Sequence, residues 1–333
     1  GDLNIIPASS SDFTIFINGS ESGPSVIDAN QLDRVFLLGN ARIMMNHLVI
    51  RGGYLQVTGP NIWGAGIYSH AILTLDQVVI EDNILDCGPG YCADWAYGGG
   101  IYSGGGSLDI TDSTIQNNSS PDSSAIHGSS ATISITYSTI RNNYSTRGVT
   151  IYNDNSLNIL NSTIAGNTSE GNGGISNYGD VFIASSTLAN SGIPANIEHR
   201  YGSITIQDSI LDAVPNLAGT SYNCFLYPAE QPWISYGYNI ISDDTCPATG
   251  TGDLINTDPM LGALDWWGGP TMTLPLLLGS PAINHRDDNC LLWETFLVID
   301  DQRYYPRPDA HCDTGAFEGF IYPVKVFLPL INR

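Results

Sequence analysis

Apolar and small polar residues alternate in short bursts along the first two hundred positions, and the bursts repeat. One phrase recurs as GAGIYSHAILTLDQVVIEDN from Gly64, GGGIYSGGGSLDITDSTIQNN from Gly98, SSAIHGSSATISITYSTIRNN from Ser123, RGVTIYNDNSLNILNSTIAGN from Arg147 and GNGGISNYGDVFIASSTLANS from Gly171, and more loosely through Ile197 to Ile210. The last apolar residue of each copy falls at Ile50, Ile80, Ile115, Ile140, Ile164, Leu188 and Ile210, with separations of 30, 35, 25, 24, 24 and 22. Repeats of that length signal stacked units. Within a copy the period is two, as in Leu73 and Leu75, Leu108 and Ile110, Ile133 and Ile135, or Leu157 and Ile159, which predicts strands. No copy carries an apolar stripe at helical spacing, so helical and leucine-rich repeats are excluded. The fold expected is all-β: three short strands per coil, turned by Gly, Asn, Asp and Ser, stacked in register as a parallel β-helix, a solenoid.

Stacking turns recurrent positions into columns. Asn83, Asn118, Asn143 and Asn167 each lie three residues past the anchoring isoleucine, where an Asn can turn the chain and bond the Asn of the next coil. Tyr68, Tyr102, His127 and Tyr152 each follow an inward isoleucine and are expected to face outward as an aromatic stack. The plain reading is structural, since stacked aromatic neighbours stabilise each other by about 0.5–1.5 kcal/mol. The functional reading is a glycan platform on Tyr68, Tyr102 and Tyr152.

Composition narrows the partners. The 333 residues carry 33 acidic and 11 basic side chains, a formal charge of −22, which opposes binding to nucleic acid or an anionic membrane. Charged residues are only 13%, about half the usual share, so the surface polarity is mostly Ser, Thr and Asn. Lys325 is the single lysine, which leaves the body of the chain without a Lys-dependent centre. The least polar window, Trp266 to Ile283, contains Pro270, Pro275 and Pro281 and reads as no membrane span. The start at Gly1 without Met is taken as the end left by removal of an export signal. Cys87, Cys92, Cys224, Cys246, Cys290 and Cys312 form an even set without paired CxxC spacing, which favours disulfides over zinc and an extracellular or cell-surface setting. Order along the chain suggests Cys87 with Cys92, Cys224 with Cys246 and Cys290 with Cys312, one of 15 arrangements.

The phrase GGGIYSGGGSLDITDSTIQNN and its copies resemble the parallel β-helix proteins of the pectate-lyase-like superfamily, in a secreted bacterial branch. Downstream, YGYNIISDD, INTDPMLGAL, GGPTMTLPLLLGSPAIN, DQRYYPRP and CDTGAFE are similar to the C-terminal part of choice-of-anchor Q proteins. The resemblance runs from about Phe13 to Glu318 and implies a right-handed coil. It implies no particular reaction. The organisation expected is a β-helix over 1–215, an irregular disulfide-bearing region over 216–320 that continues or caps it, and an apolar tail over 321–333.

Lyases and hydrolases of the resembled superfamily depend on clustered carboxylates, and a hydrolase needs two about 5–10 Å apart. The outward positions of the middle strands are Thr74, Asp109, Ser134, Asn158, Phe182 and Thr205, a single acid among six. His127 reads as a lone ladder histidine, and Arg141 and Arg147 as solvated turn charges. The acidic residues Asp243, Asp244, Asp287, Asp288, Asp300 and Asp301 are candidate Ca²⁺ ligands, or, more plainly, turn residues and partners of Arg286, Arg303 and Arg307. No catalytic residue and no cofactor other than Ca²⁺ is assigned. The sequons at Asn18, Asn117, Asn118, Asn143, Asn161 and Asn167 arise readily in so Asn- and Ser-rich a ladder.

The tail GFIYPVKVFLPLINR places Val324, Val326, Phe327, Leu328, Leu330 and Ile331 in a short apolar strand that must be covered. Folding back on its own coils is the plain reading; insertion into a neighbouring copy is the functional one. The leading expectation is therefore a secreted, non-enzymatic structural protein that assembles head to tail into a filament or surface layer. The alternatives are a carbohydrate-active β-helix, acting as polysaccharide lyase, glycoside hydrolase or glycan-binding protein, and a monomeric adhesin.

Overall fold

A computed structural model describes the chain except for residues 1, 8–13, 58, 60–61, 89–95, 172, 190–194, 214–220, 228–231, 288–289, 293–295, 308–310 and 323–333. The described residues form an all-β structure with no helix, built of parallel strands in stacked sheets. Sheet A holds nine strands, from Leu3–Ile5 through Ile67–Ser69, Ile101–Gly104, Ser123–Ser129 and Val149–Asn153 to Tyr222–Leu226. Sheet B carries two neighbouring columns, one running through Ser107–Thr111, Thr132–Thr136 and Ser156–Leu160, the other through Thr114–Gln116, Thr139–Arg141 and Thr163–Ala165. In the longer strands Arg42–Arg51 and Ile72–Glu81 the two columns are continuous. Sheet C adds five short strands, from Tyr54–Gln56 to Thr168–Ser169.

Successive repeats pass through sheet A and both columns of sheet B, five of them also through sheet C, and their equivalent residues are paired. Leu73, Leu108, Ile133, Leu157, Val181 and Ile204 form one row, and Leu75, Ile110, Ile135, Ile159, Ile183 and Ile206 the next. All are buried in one continuous apolar core. The two-residue period therefore does what the alternation predicts, because a one-residue slip would turn every isoleucine to solvent.

Corners are made by single residues in the left-handed conformation. Between the two columns of sheet B these are His47, Gln77, Asp112, Tyr137, Asn161, Ser185 and Asp208. Between sheets B and C they are Asp82, Asn117, Asn142 and Gly166, types for which that conformation costs least apart from Asp82's modest strain. The expected asparagine ladder is present but does not itself turn the chain. The turn belongs to the residue before it, and the ladder residue bonds its neighbours: Asn83 Nδ2 to Asn118 Oδ1 (2.9 Å), Asn118 Nδ2 to Asn143 Oδ1 (3.0 Å) and Asn143 Nδ2 to Asn167 Oδ1 (2.9 Å). A serine ladder runs beside it unforeseen, with the hydroxyls of Ser113, Ser138, Ser162, Ser186 and Ser209 each accepting from a backbone N–H of the preceding coil. Its signal lay in DSTIQN, YSTIRN, NSTIAGN and SSTLAN, where a Ser recurs two residues before the anchor.

The Cys224–Cys246 and Cys290–Cys312 disulfides are formed. Cys87 is also disulfide-bonded; Cys92 lies outside the described residues. After Ile240–Ile241 pairs with Leu254–Ile255, the chain leaves the sheets and runs back along the flank of earlier coils. Gln302 accepts from Thr163 Oγ1 (2.6 Å) and donates to Thr139 Oγ1 (3.0 Å), while Tyr304 reaches Asp112 (2.6 Å). Gly315, of the CDTGAFE phrase, is left-handed, and a Cβ there would sit 2.8 Å from both Ile210 Cδ1 and Thr187 Oγ1, so only glycine permits this approach. Among the described residues no helix is long and apolar enough to cross a membrane.

Candidate functional site

Tyr68, Tyr102, His127 and Tyr152 occupy one register position of sheet A, which continues through Ser176 to Glu198 and Phe225. Their rings lie face to face: Tyr68 and Tyr102 are 5.2 Å apart at 6°, Tyr102 and His127 5.3 Å at 7°, His127 and Tyr152 4.4 Å at 3°. That spacing is the rung distance of the sheet itself. Stacked so closely, the rings cover one another's faces and offer their edges outward. The stack opens past Tyr152, where Tyr178 and then Tyr201 are tilted by 37° and 38°, and Tyr201 is largely exposed.

A groove of about 480 Å³ runs along this column, within the size range of ligand sites. Tyr102, His127, Tyr152 and Tyr178 line it together with Trp63 and Tyr97. Trp63 stacks on Tyr102 at 4.7 Å and Tyr97 on His127 at 4.0 Å, which buries the imidazole and pushes its pKa down to about 3. His127 is accordingly neutral near pH 7, with a single ring N–H. Burial also pushes the Tyr97 and Tyr152 phenols up to about 12, so both remain hydroxyl donors.

Three carboxylates border the groove: Asp122 and Glu198 are engaged by arginines, while Asp154 accepts from the Ser130 backbone N–H. Asp122 takes Arg147 at both oxygens (2.7 and 2.8 Å) and also accepts from the Ala96 backbone N–H (2.7 Å). Arg147 is thus half of a forked ion pair, not the solvated turn charge expected of it. Glu198 accepts from Arg200 (2.6 Å) and from Ser176 Oγ (2.9 Å), and Arg200 lies between the rings of Tyr178 and Tyr227 at 5.8 and 4.9 Å. Both oxygens of Asp122 and of Glu198 are therefore engaged, in each case partly by a guanidinium. The arrangement can present hydroxyls, guanidinium edges and ring edges to a polar polymer.

No family model, curated protein or solved structure matches this chain.

The remaining sequence candidates do not converge here. Asp243 accepts from Asn223 N and Thr245 N (2.8 and 3.1 Å), Asp287 from Tyr238 OH (2.7 Å) and Asp300 from Tyr137 OH (2.9 Å), while Asp301 pairs with Arg303 (2.5 Å). Asp244 is exposed and Asp288 lies outside the described residues. Among the described residues no three His, Cys, Asp or Glu side chains gather as metal ligands would. Asp109 stands between Thr74 and Ser134 without an acidic neighbour in its row. Asn118, Asn143, Asn161 and Asn167 are fully buried, which closes those sequons to a glycosylating enzyme. Val324, Val326, Phe327, Leu328, Leu330 and Ile331 lie outside the described residues. The sequence reading looked for acids on the middle strands and so missed Glu198, Asp122, Arg147 and Arg200. Glu198 was detectable, since it falls at the ladder position once Ile197 is aligned with Ile175.

Proposed function

We propose that the stacked coils are a right-handed parallel β-helix of an extracellular protein that holds a polysaccharide along the aromatic column of sheet A without cleaving it. The observation that carries this reading is the groove in which aromatic side chains recur along successive rungs, with Asp122 and Glu198, two of its three carboxylates, each paired with an arginine. A linear glycan repeats its hydroxyls along its length, and a column repeats its donors in the same manner, so contacts add rung by rung. The exposed ring of Tyr201 can take the apolar face of a sugar. Disulfides and the low charge of the surface support an extracellular setting.

Affinity electrophoresis through gels containing neutral or uronic polysaccharides tests it. Retardation should fall at least about tenfold in apparent affinity for a Tyr152→Ala, Tyr178→Ala double variant, which removes roughly 1.4 kcal/mol or more of contact, and no reducing or unsaturated ends should form. Retardation that is unchanged by the substitutions overturns the site, and product formation overturns the binding-only role.

Head-to-tail assembly is the second reading. It is favoured by Leu3, Phe16 and Val26, apolar side chains half or more exposed on the strands Leu3–Ile5, Thr14–Asn18 and Ser25–Asp28.

A further inference from the structure

A second groove, of about 380 Å³, lies on another face, between residues 266–272 and the coils of sheet B. Its floor includes Gln116 and Arg141, paired in register on adjoining coils, with Glu81 next to Gln116 in the same row outside the groove. Gln116 Nε2 donates to Glu81 (2.6 Å), but Gln116 Oε1 is buried with no hydrogen-bond partner, and so is Arg141 Nε. Arg141 makes no ion pair among the described residues, whereas Arg34, Arg51, Arg147, Arg200, Arg286, Arg303 and Arg307 each do. Burial lowers its pKa, which marks a desolvated guanidinium facing the groove. Leaving a buried donor and a buried acceptor unpaired side by side is costly.

One chemical group answers both atoms. A hydroxyl accepts and donates at once, so a single hydroxyl oxygen set between them takes the Arg141 Nε–H and gives its own proton to Gln116 Oε1. The opposite wall is apolar: Trp266, more than half exposed, with Pro270 and Met272. Contacts from residues 271 and 272 to the coils hold that wall in place, Thr271 Oγ1 donating to Tyr137 O (2.9 Å) and Thr139 Oγ1 to Met272 O (2.5 Å). A bare water would satisfy the polar floor but gain nothing from the indole. A sugar does both, through one hydroxyl and the C–H face of its ring.

We propose that this groove is a saccharide-binding site separate from the column of sheet A, with a hydroxyl bridging Arg141 and Gln116 and the ring lying on Trp266. The test is calorimetric titration of the full chain with a panel of neutral and uronic oligosaccharides. At least one should bind with Kd below about 1 mM. Trp266→Ala and Gln116→Leu, neither of which alters the core, should each weaken it at least about tenfold, roughly 1.4 kcal/mol, and Tyr152→Ala should leave it unchanged. Preference for the uronic arm assigns the guanidinium charge to a carboxylate; equal binding of both arms assigns its Nε–H to the hydroxyl alone. Absence of binding across the panel, or a loss that follows Tyr152 instead of Trp266 and Gln116, overturns the proposal. Because Tyr152 reports only on the other groove, failure here leaves that reading standing, and the reverse holds.

Discussion

The coils and the C-terminal stretch over 256–322 pack against each other but are held by different means. In the coils, every device is used many times: isoleucine rows inside, asparagine and serine ladders at the corners, aromatic rings outside. In the C-terminal stretch nearly every contact is unique. Arg286 pairs with Asp208, Arg303 with Asp301 and Arg307 with Glu318, all with the guanidinium almost wholly buried. Repetition spreads the cost of a defect across neighbours that can make the same contact, as in other stacked-repeat proteins. A buried ion pair has no such neighbour, because removing one partner leaves the other charge stranded. The two regions should therefore fail differently.

The largest effect is expected where a charge is stranded. Arg303 donates through Nε and Nη2 to Asp301 Oδ2 (2.8 and 2.5 Å) and lies over the Phe317 ring at 3.4 Å. Arg303→Ala leaves the fully buried Asp301 carboxylate with backbone donors only, and should cost about 3–5 kcal/mol. Hydrogen exchange should show the loss concentrated in 256–322, with the coils still protected. A loss spread evenly over both regions would mean that they do not differ in this way. A smaller effect is expected from Asn118→Ala. Asn118 accepts from the Asn83 side chain (2.9 Å) and donates to Ile80 O and Asn143 (both 3.0 Å), so groups in two adjoining coils lose a partner. Chemical denaturation should register about 1–3 kcal/mol, with exchange rising in the neighbouring rungs and not in the C-terminal stretch.

The same contrast explains what could be read from the chain. Strands, their inward rows and the asparagine ladder were legible because each residue type recurs at one spacing, and position 127 could be placed among tyrosines although it is a histidine. The serine ladder was equally periodic but lay hidden within phrases read as turns. The groove was half legible. Its rings follow from the period, but Asp122 with Arg147 and Glu198 with Arg200 depend on which turn faces which across coils, and no spacing states that. Arg141 and Arg147 look alike in sequence, each basic and each beside a corner; only the neighbour across the sheet makes one a closed ion pair and the other an open donor. The contacts of Gln302 with Thr139 and Thr163, more than 130 residues away, leave no pattern to read.

The remaining test is the most discriminating, because pH should act on the two regions with opposite sign. His127, in the column, has its pKa pushed down to about 3 by burial, so the folded coil holds it neutral while the unfolded chain protonates it below its ordinary value of 6.5. Unfolded chains then bind the extra proton, and coil stability falls as pH drops from about 6.5 toward about 3. Glu318, in the C-terminal stretch, is pushed the other way, up to about 7, chiefly by desolvation that outweighs the Arg307 guanidinium beside it. Here the folded state holds the proton and the unfolded chain releases it above 4.5, so the contribution is complete at acid pH and is lost as pH climbs to about 7, flattening beyond. Asp313, raised by the same cause, adds to this slope. Denaturation midpoints followed across this range should show the Glu318→Gln variant losing the decline between about pH 5 and about pH 7, and the His127→Gln variant losing the decline on the acid side. Variants that alter the same limb of the profile would show that one electrostatic environment extends through both regions, and the division between ladder-held coils and ion-paired flank would have to be abandoned.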